Sequence, residues 1–204
     1  MAVQFDIPEG AVNSDAPVTP EGLAEAESII GMPLPPSFRQ WLLKFGDVKY
    51  VDGVVNLRFN QLLPQDEEHA ITSIARGARA LQNAQWPVDD RFIVFGSDGM
   101  DMLFALYRPA KVGDECPVVG VSFEGYVLMA SSFEAFVNTY FNYELWRSGG
   151  GDDLLDFDDA PGVEREAELL AKYDPKMEPG TICNMYERAQ PIETIEGLVA
   201  DRLS

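Results

Sequence analysis

Thr19–Gly46, TPEGLAEAESIIGMPLPPSFRQWLLKFG, reads as two short helices joined at a proline corner. Thr19 is a good N-cap, because its hydroxyl can accept a first-turn backbone N–H that has no partner inside the helix. Pro20 then occupies the first helical position, where its missing N–H costs nothing. Leu23, Ala26 and Ile30 share one face, with Ile29 beside them, while Glu21, Glu25 and Glu27 are expected to face water. Gly31 is a plausible C-terminal stop. Met32-Pro33-Leu34-Pro35-Pro36 cannot continue a helix, so it turns the chain into a second one. That helix carries Phe38, Trp41, Leu42 and Phe45 at one-face spacing and ends at Gly46. A face with a Trp and two Phe needs a sheet or another helix to cover it.

Outward from this pair, residues 1–18 read as an N-terminal arm broken by Pro8, Gly10, Asn13, Asp15 and Pro17. Val3, Phe5 and Ile7 alternate, which suits a short edge strand. After Gly46, Val55, Leu57 and Phe59 alternate with Asn56 and Arg58, the pattern of a half-buried strand. Asp66, Glu67 and Glu68 mark the start of a third helix, with Ile71, Ile74, Ala75, Ala78 and Leu81 as its apolar face. Trp86-Pro87 is a connector. Arg91–Phe95, Asp101–Tyr107, Pro117–Phe123 and Tyr126–Ala130 follow as strands separated by glycine-bearing turns, which argues for an antiparallel meander. Ser131 and Glu134 form a capping-box pattern ahead of a helix lined by Phe133, Phe136, Val137, Tyr140 and Phe141.

The organisation expected is an arm (1–18), an α+β domain (19–147) and an acidic C-terminal extension (148–204). The domain is an antiparallel five- to six-stranded sheet covered by helices. The extension opens on Gly149-Gly150-Gly151 and carries helices over about 162–173 and 192–203.

Charge restricts the partners. The 204 residues hold 34 acidic and 15 basic side chains, a formal net charge of −19. Such an excess repels nucleic acid and anionic membranes and suits solubility or a basic protein partner. Residues 148–204 hold 14 acidic and 5 basic residues, a higher acid density than the rest. MAVQFDIPEG lacks the basic flank and apolar run of a secretory leader. No stretch approaches the ~20 apolar residues of a membrane span. Cys116 and Cys183 fit a reducing compartment as unpaired thiols, so a cytoplasmic location is expected.

Catalytic and cofactor patterns are missing from the sequence. The one histidine, His69, lies beside Glu67 and Glu68 at an expected helix start and reads as a surface residue. No His and Cys occur in zinc spacing. Gly96-Ser97-Asp98-Gly99 lies between two strands and reads as a turn, not a nucleophile elbow. A pair among Asp98, Asp101 and Glu124 would support an enzyme only if they met in a concave site. No cofactor and no enzymatic activity are expected. Asp152, Asp153, Asp156, Asp158 and Asp159 alternate with Leu154, Leu155 and Phe157. They lack the Gly and Glu of a calcium loop, with Pro161 and Ala167 in those places. Two readings remain open: the apolar residues dock the tail, or Asp152, Asp153, Asp156, Phe157, Asp158 and Asp159 hold a basic partner.

The Thr-Pro-Glu helix start, the Leu34-Pro35-Pro36-Ser37-Phe38-Arg39 corner with Trp41-Leu42, the Gly96–Gly99 turn and the Ser132-Phe133-Glu134 helix start come in the order of the SUKH superfamily, which this chain resembles over about residues 19–145. It differs from many relatives at Lys44-Phe45-Gly46-Asp47 and Gly99-Met100-Asp101. The superfamily includes bacterial immunity proteins that neutralise toxins and fungal regulators of cell-wall assembly. The resemblance implies a non-enzymatic immunity protein that binds a cognate basic toxin domain, often a nuclease. An intracellular adaptor is the alternative.

Overall fold

A computed structural model describes residues 3–8, 12–14, 17–46, 48–51, 58–59, 85–98, 101–111, 113–148, 160–185, 188–191 and 195–203. The expected helix at 66–83, His69 and the acidic run 152–159 lie outside these residues.

The helix pair forms as its caps dictate. Helix α1 spans Pro20–Ile30 and α2 spans Pro36–Phe45. The Thr19 hydroxyl accepts from Gly22 N, and Gly31 closes α1 in the left-handed region at φ 78°. Glu27 departs from expectation. It is half-buried, accepts from Leu34 N at 3.0 Å and pairs with Arg39 at 2.7 Å, so it locks the proline corner instead of facing water. Pro35 offers α2 no side-chain cap. Glu115, from the loop ahead of Val118, supplies one from a distance: its carboxylate accepts from Ser37 N at 2.9 Å and from Ser37 Oγ at 2.7 Å.

The main sheet is antiparallel with strand order β3-β4-β5-β6-β7. Its body is four strands: β4 (Phe92–Ser97), β5 (Leu103–Tyr107), β6 (Val118–Val121) and β7 (Tyr126–Ala130). A two-residue β3 (Arg58–Phe59) pairs with Ser97 and Gly96 at the edge. Val12–Ser14 (β1) and Val48–Val51 (β2) form a separate two-stranded ladder. The α+β class and the meander hold, with four substantial strands in place of five to six. Phe123 falls outside β6, in the turn that follows it.

The sheet is apolar on both faces. Ile93, Phe95, Phe104, Leu106, Val118 and Met129 face one core, covered by α1, α2 and the segment after β7. Phe92, Val94, Ala105, Tyr107, Val121 and Leu128 face a second core. That second face is covered by Val88 and by C-terminal residues: Leu170 of α5 (Ala160–Tyr173), Met177, and Ile195, Val199 and Leu203 of α6 (Ile195–Leu203). The described part of the extension therefore docks on the domain. Helix α5 reaches both cores at once, Leu169 entering the first and Leu170 the second.

The segment after β7 is α3 (Phe133–Phe136), a π-helical stretch (Val137–Phe141) and α4 (Asn142–Ser148). Its cap is Ser132, whose hydroxyl accepts from Ala135 N at 3.1 Å. The expected Ser131–Glu134 box does not form, because both members are engaged elsewhere. Ser131 donates its N–H and hydroxyl to Asp174, each at 2.7 Å, which fastens the end of α5 to the end of β7. Glu134 accepts from Gln4 N at 2.7 Å. The segment is also buried on more than one face, since Asn138, Thr139 and Glu144 are as hidden as Phe136 and Phe141.

Asn138 holds residues 4–6 of the N-terminal arm, and the alternating Val3, Phe5 and Ile7 form no strand; the arm's strand among the described residues is β1. Asn138 accepts from Asp6 N at 2.7 Å and donates to Gln4 O at 2.8 Å, so one amide pairs the arm as a neighbouring strand would. Asn142 donates to Asp6 O at 2.8 Å. Phe5 then packs edge-on against Trp41 at 5.1 Å and Phe133 at 6.4 Å. Asp6 also meets the Lys172 ammonium at 2.8 Å and the Tyr173 hydroxyl, and these hold its carboxyl below the usual range.

In α5, Glu166 is fully buried and accepts from Thr181 N at 2.8 Å and Ile182 N at 2.9 Å, with Cys183 N at 3.4 Å. A carboxylate that gathers backbone donors in this way satisfies groups that burial would otherwise leave unpaired.

Asn138→Ala removes two bonds to the arm and is expected to cost about 1–2 kcal/mol, with faster amide exchange at Gln4 and Asp6; hydrogen-exchange mass spectrometry reads this directly. Asp174 gives a pH prediction. Burial raises its carboxyl above the ordinary 3.8, against the opposing bonds from Ser131. A raised folded value favours the protonated form, so its contribution to stability is full below 3.8 and is lost as pH rises through the folded value. Urea unfolding of the wild type and Asp174→Asn across acid to neutral pH should show wild type losing ground as pH rises. A gap that is flat or widens in the wild type's favour contradicts this.

Candidate protein-interaction surface

The acidic residues Asp152, Asp153, Asp156, Asp158 and Asp159, with Phe157, lie outside the described residues, so the structure does not place them. Of the carboxylates considered for catalysis, Asp98 is buried and accepts from Met102 N at 3.1 Å, a turn-closing bond. Asp101 and Glu124 are exposed in two different turns. None of the three lines either of the clefts flanking the C-terminal cover.

Two clefts flank the C-terminal cover. One, of about 450 Å³, is lined by Val127, Met177, Glu178, Thr181, Arg188 and Gln190. The other, of about 460 Å³, lies between β5 and α6 and is lined by Tyr107, Pro109, Lys111, Glu196, Val199 and Leu203. Each combines one cation and one anion with apolar walls, and neither collects acids for acid–base chemistry. Among the described residues, no group of three His, Cys, Asp or Glu could hold a metal ion, and no helix is long and apolar enough to cross a membrane.

The surface feature with the most definite construction is the β6–β7 turn. Ser122 N donates to Gly125 O at 2.9 Å, and Glu124 N donates to Ser122 Oγ at 3.2 Å. Gly125 has φ 152° and lies against the Gln190 backbone, where a Cβ would collide, so only glycine fits. The backbone groups of Tyr126 and Gln190 exchange two bonds, at 2.8 and 2.7 Å. On this mount Phe123 stands 59% exposed, more than Ile29 at 43% or Leu43 at 36%. Its ring lies 4.3 Å from that of Trp86, tilted by 31°.

Trp86 is held in turn. Val88 N donates to Trp86 O at 2.8 Å, Val88 is buried in the second core, and the Tyr126 hydroxyl donates to Pro87 O. The Tyr126 ring stacks on Phe92 at 5.2 Å, and burial pushes its hydroxyl up to about 12, so it stays protonated as a donor at neutral pH. Gln85, next to Trp86, has φ 67°, a left-handed conformation that a non-glycine residue adopts only under constraint. Glu124, next to Phe123 in the turn, is exposed, while Arg91 is engaged by Asp89 at 2.9 Å.

Sequence reading placed Phe123 in a strand and Trp86 in a connector. The usable signal was Glu124-Gly125, which marks a turn tight enough to push Phe123 out of the ladder. Nothing local shows that Trp86, 37 positions earlier, comes to meet it.

A search of curated proteins finds no match. Comparison with protein families matches residues 17–139 to the SMI1 / KNR4 family (SUKH-1). That span begins just ahead of the Thr19 cap, takes in the helix pair, the meander and the Trp86–Phe123 contact, and ends within the π-helical stretch. It covers more than half of the sequence, and the chain belongs to the SMI1 / KNR4 family (SUKH-1).

Proposed function

We propose that this chain is a non-enzymatic immunity protein that neutralises a cognate toxin domain, often of nuclease type, by binding it directly in the cytoplasm. Family membership joined to a net charge of −19 carries the reading. A toxin that attacks nucleic acid carries a basic cleft, and an acidic inhibitor can occupy that cleft as a polyanion. Long-range attraction speeds the encounter, and a small buried apolar contact supplies affinity. The acidic run at Asp152–Asp159 suits the first role. The absence of any catalytic pattern in the sequence agrees with a binding protein. The family also takes in regulators of cell-wall assembly, so an adaptor for endogenous proteins is the competing reading.

Recovery of the tagged protein from its own cells at low ionic strength, with co-purifying chains identified by mass spectrometry, separates the two. One basic toxin or nuclease domain is expected. It should be released between about 0.1 M and about 1 M salt, as the screening length falls from about 10 Å to about 3 Å. Recovery of cell-envelope or housekeeping proteins alone favours the adaptor. A toxin retained equally at both salt levels removes the electrostatic mechanism.

A further inference from the structure

We infer that the Trp86–Phe123 tip is an anchor that receives an arginine side chain of a basic protein partner. This rests on the protein-binding reading above and names the surface and the chemistry that reading leaves open.

Single exposed apolar residues are common and need no explanation. This one differs in its mounting. The Phe123 turn is bonded internally through Ser122 and Gly125 and braced from outside by Gln190. The Trp86 loop is braced by Tyr126 through Pro87 and by the burial of Val88. Gln85 holds a left-handed conformation at its start. So much fixing is spent on a ring pair that leaves Phe123 59% exposed. A contact held rigid before binding loses little freedom on binding, and aromatic residues at such positions supply a large share of interface energy.

The local chemistry selects the occupant. The outer face of an aromatic ring attracts a cation, and this tilted pair presents one. The exposed carboxylate of Glu124, the residue after Phe123, adds negative charge, and Arg91 is already paired with Asp89. A planar guanidinium can stack on a ring while donating to a carboxylate, which a lysine ammonium cannot match. A net charge of −19 on the whole chain brings such a partner in.

Two measurements test this. N-acetylarginine amide, titrated into the whole protein, should shift the Trp86 indole N–H resonance, assigned with Trp86→Phe. N-acetyllysine amide should shift it less, and Phe123→Ala should abolish the effect. The basic domain recovered by affinity purification should bind Phe123→Ala about tenfold more weakly or worse, and Ile29→Ala as it binds wild type. Because Phe123 is exposed, its variant should keep the wild-type Tm. Equal binding of Phe123→Ala and wild type by that domain overturns the inference while the protein-binding reading stands. A Trp86 signal indifferent to arginine, or unchanged by Phe123→Ala, also overturns it. An arginine response that depends on Phe123, in cells that yield no basic partner, supports the tip's chemistry and counts against the immunity role.

Discussion

A sheet apolar on both faces must be covered twice, and the rest of the architecture follows from that demand. Strands β4 and β5 are buried along almost their whole length. Each side chain left to water would forfeit about 1.5–3 kcal/mol. The first face is met by Trp41, Phe38 and the aromatic run after β7. The second is met mostly by residues from the far end of the chain. Helix α5 makes the two covers interdependent, since Leu169 and Leu170 enter different cores and Asp174 fastens the helix end to Ser131.

How legible this was in the sequence depends on how local each cause is. The caps at Thr19 and Gly31, the proline corner and the one-face spacing of α2 act within a few residues, and all appear as read. The meander follows from apolar runs and glycine turns. Glu27, Glu115 and Ser131 were not legible in their true roles, because each answers to a partner brought close only by the finished fold. The arm shows the same limit: alternation at Val3, Phe5 and Ile7 signals a half-buried extended segment. It does not reveal that the pairing groups are the amides of Asn138 and Asn142.

The interaction surface was less legible than the fold. Composition suits solubility or a basic protein partner, because charge sums over the chain whatever its conformation. A rigid apolar anchor needs two distant segments in register, and Trp86 meets Phe123 only because Val88 and Tyr126 set the path of the intervening backbone. The two kinds of information are complementary. In the proposed reading, net charge governs which partners approach and the aromatic tip which are retained.

The double cover also bears on how the chain leaves the ribosome. Strand β7 ends at Ala130, whereas the last residue covering the second face is Leu203. At cellular rates of synthesis the interval between them is roughly 4–15 s. Through that interval the second face of the nascent sheet lacks part of its cover, with Phe92, Val94 and Val121 open to apolar surfaces in the cell. The strong negative charge of the chain then has a use unrelated to any partner: like charge keeps neighbouring nascent chains apart until the last helix arrives.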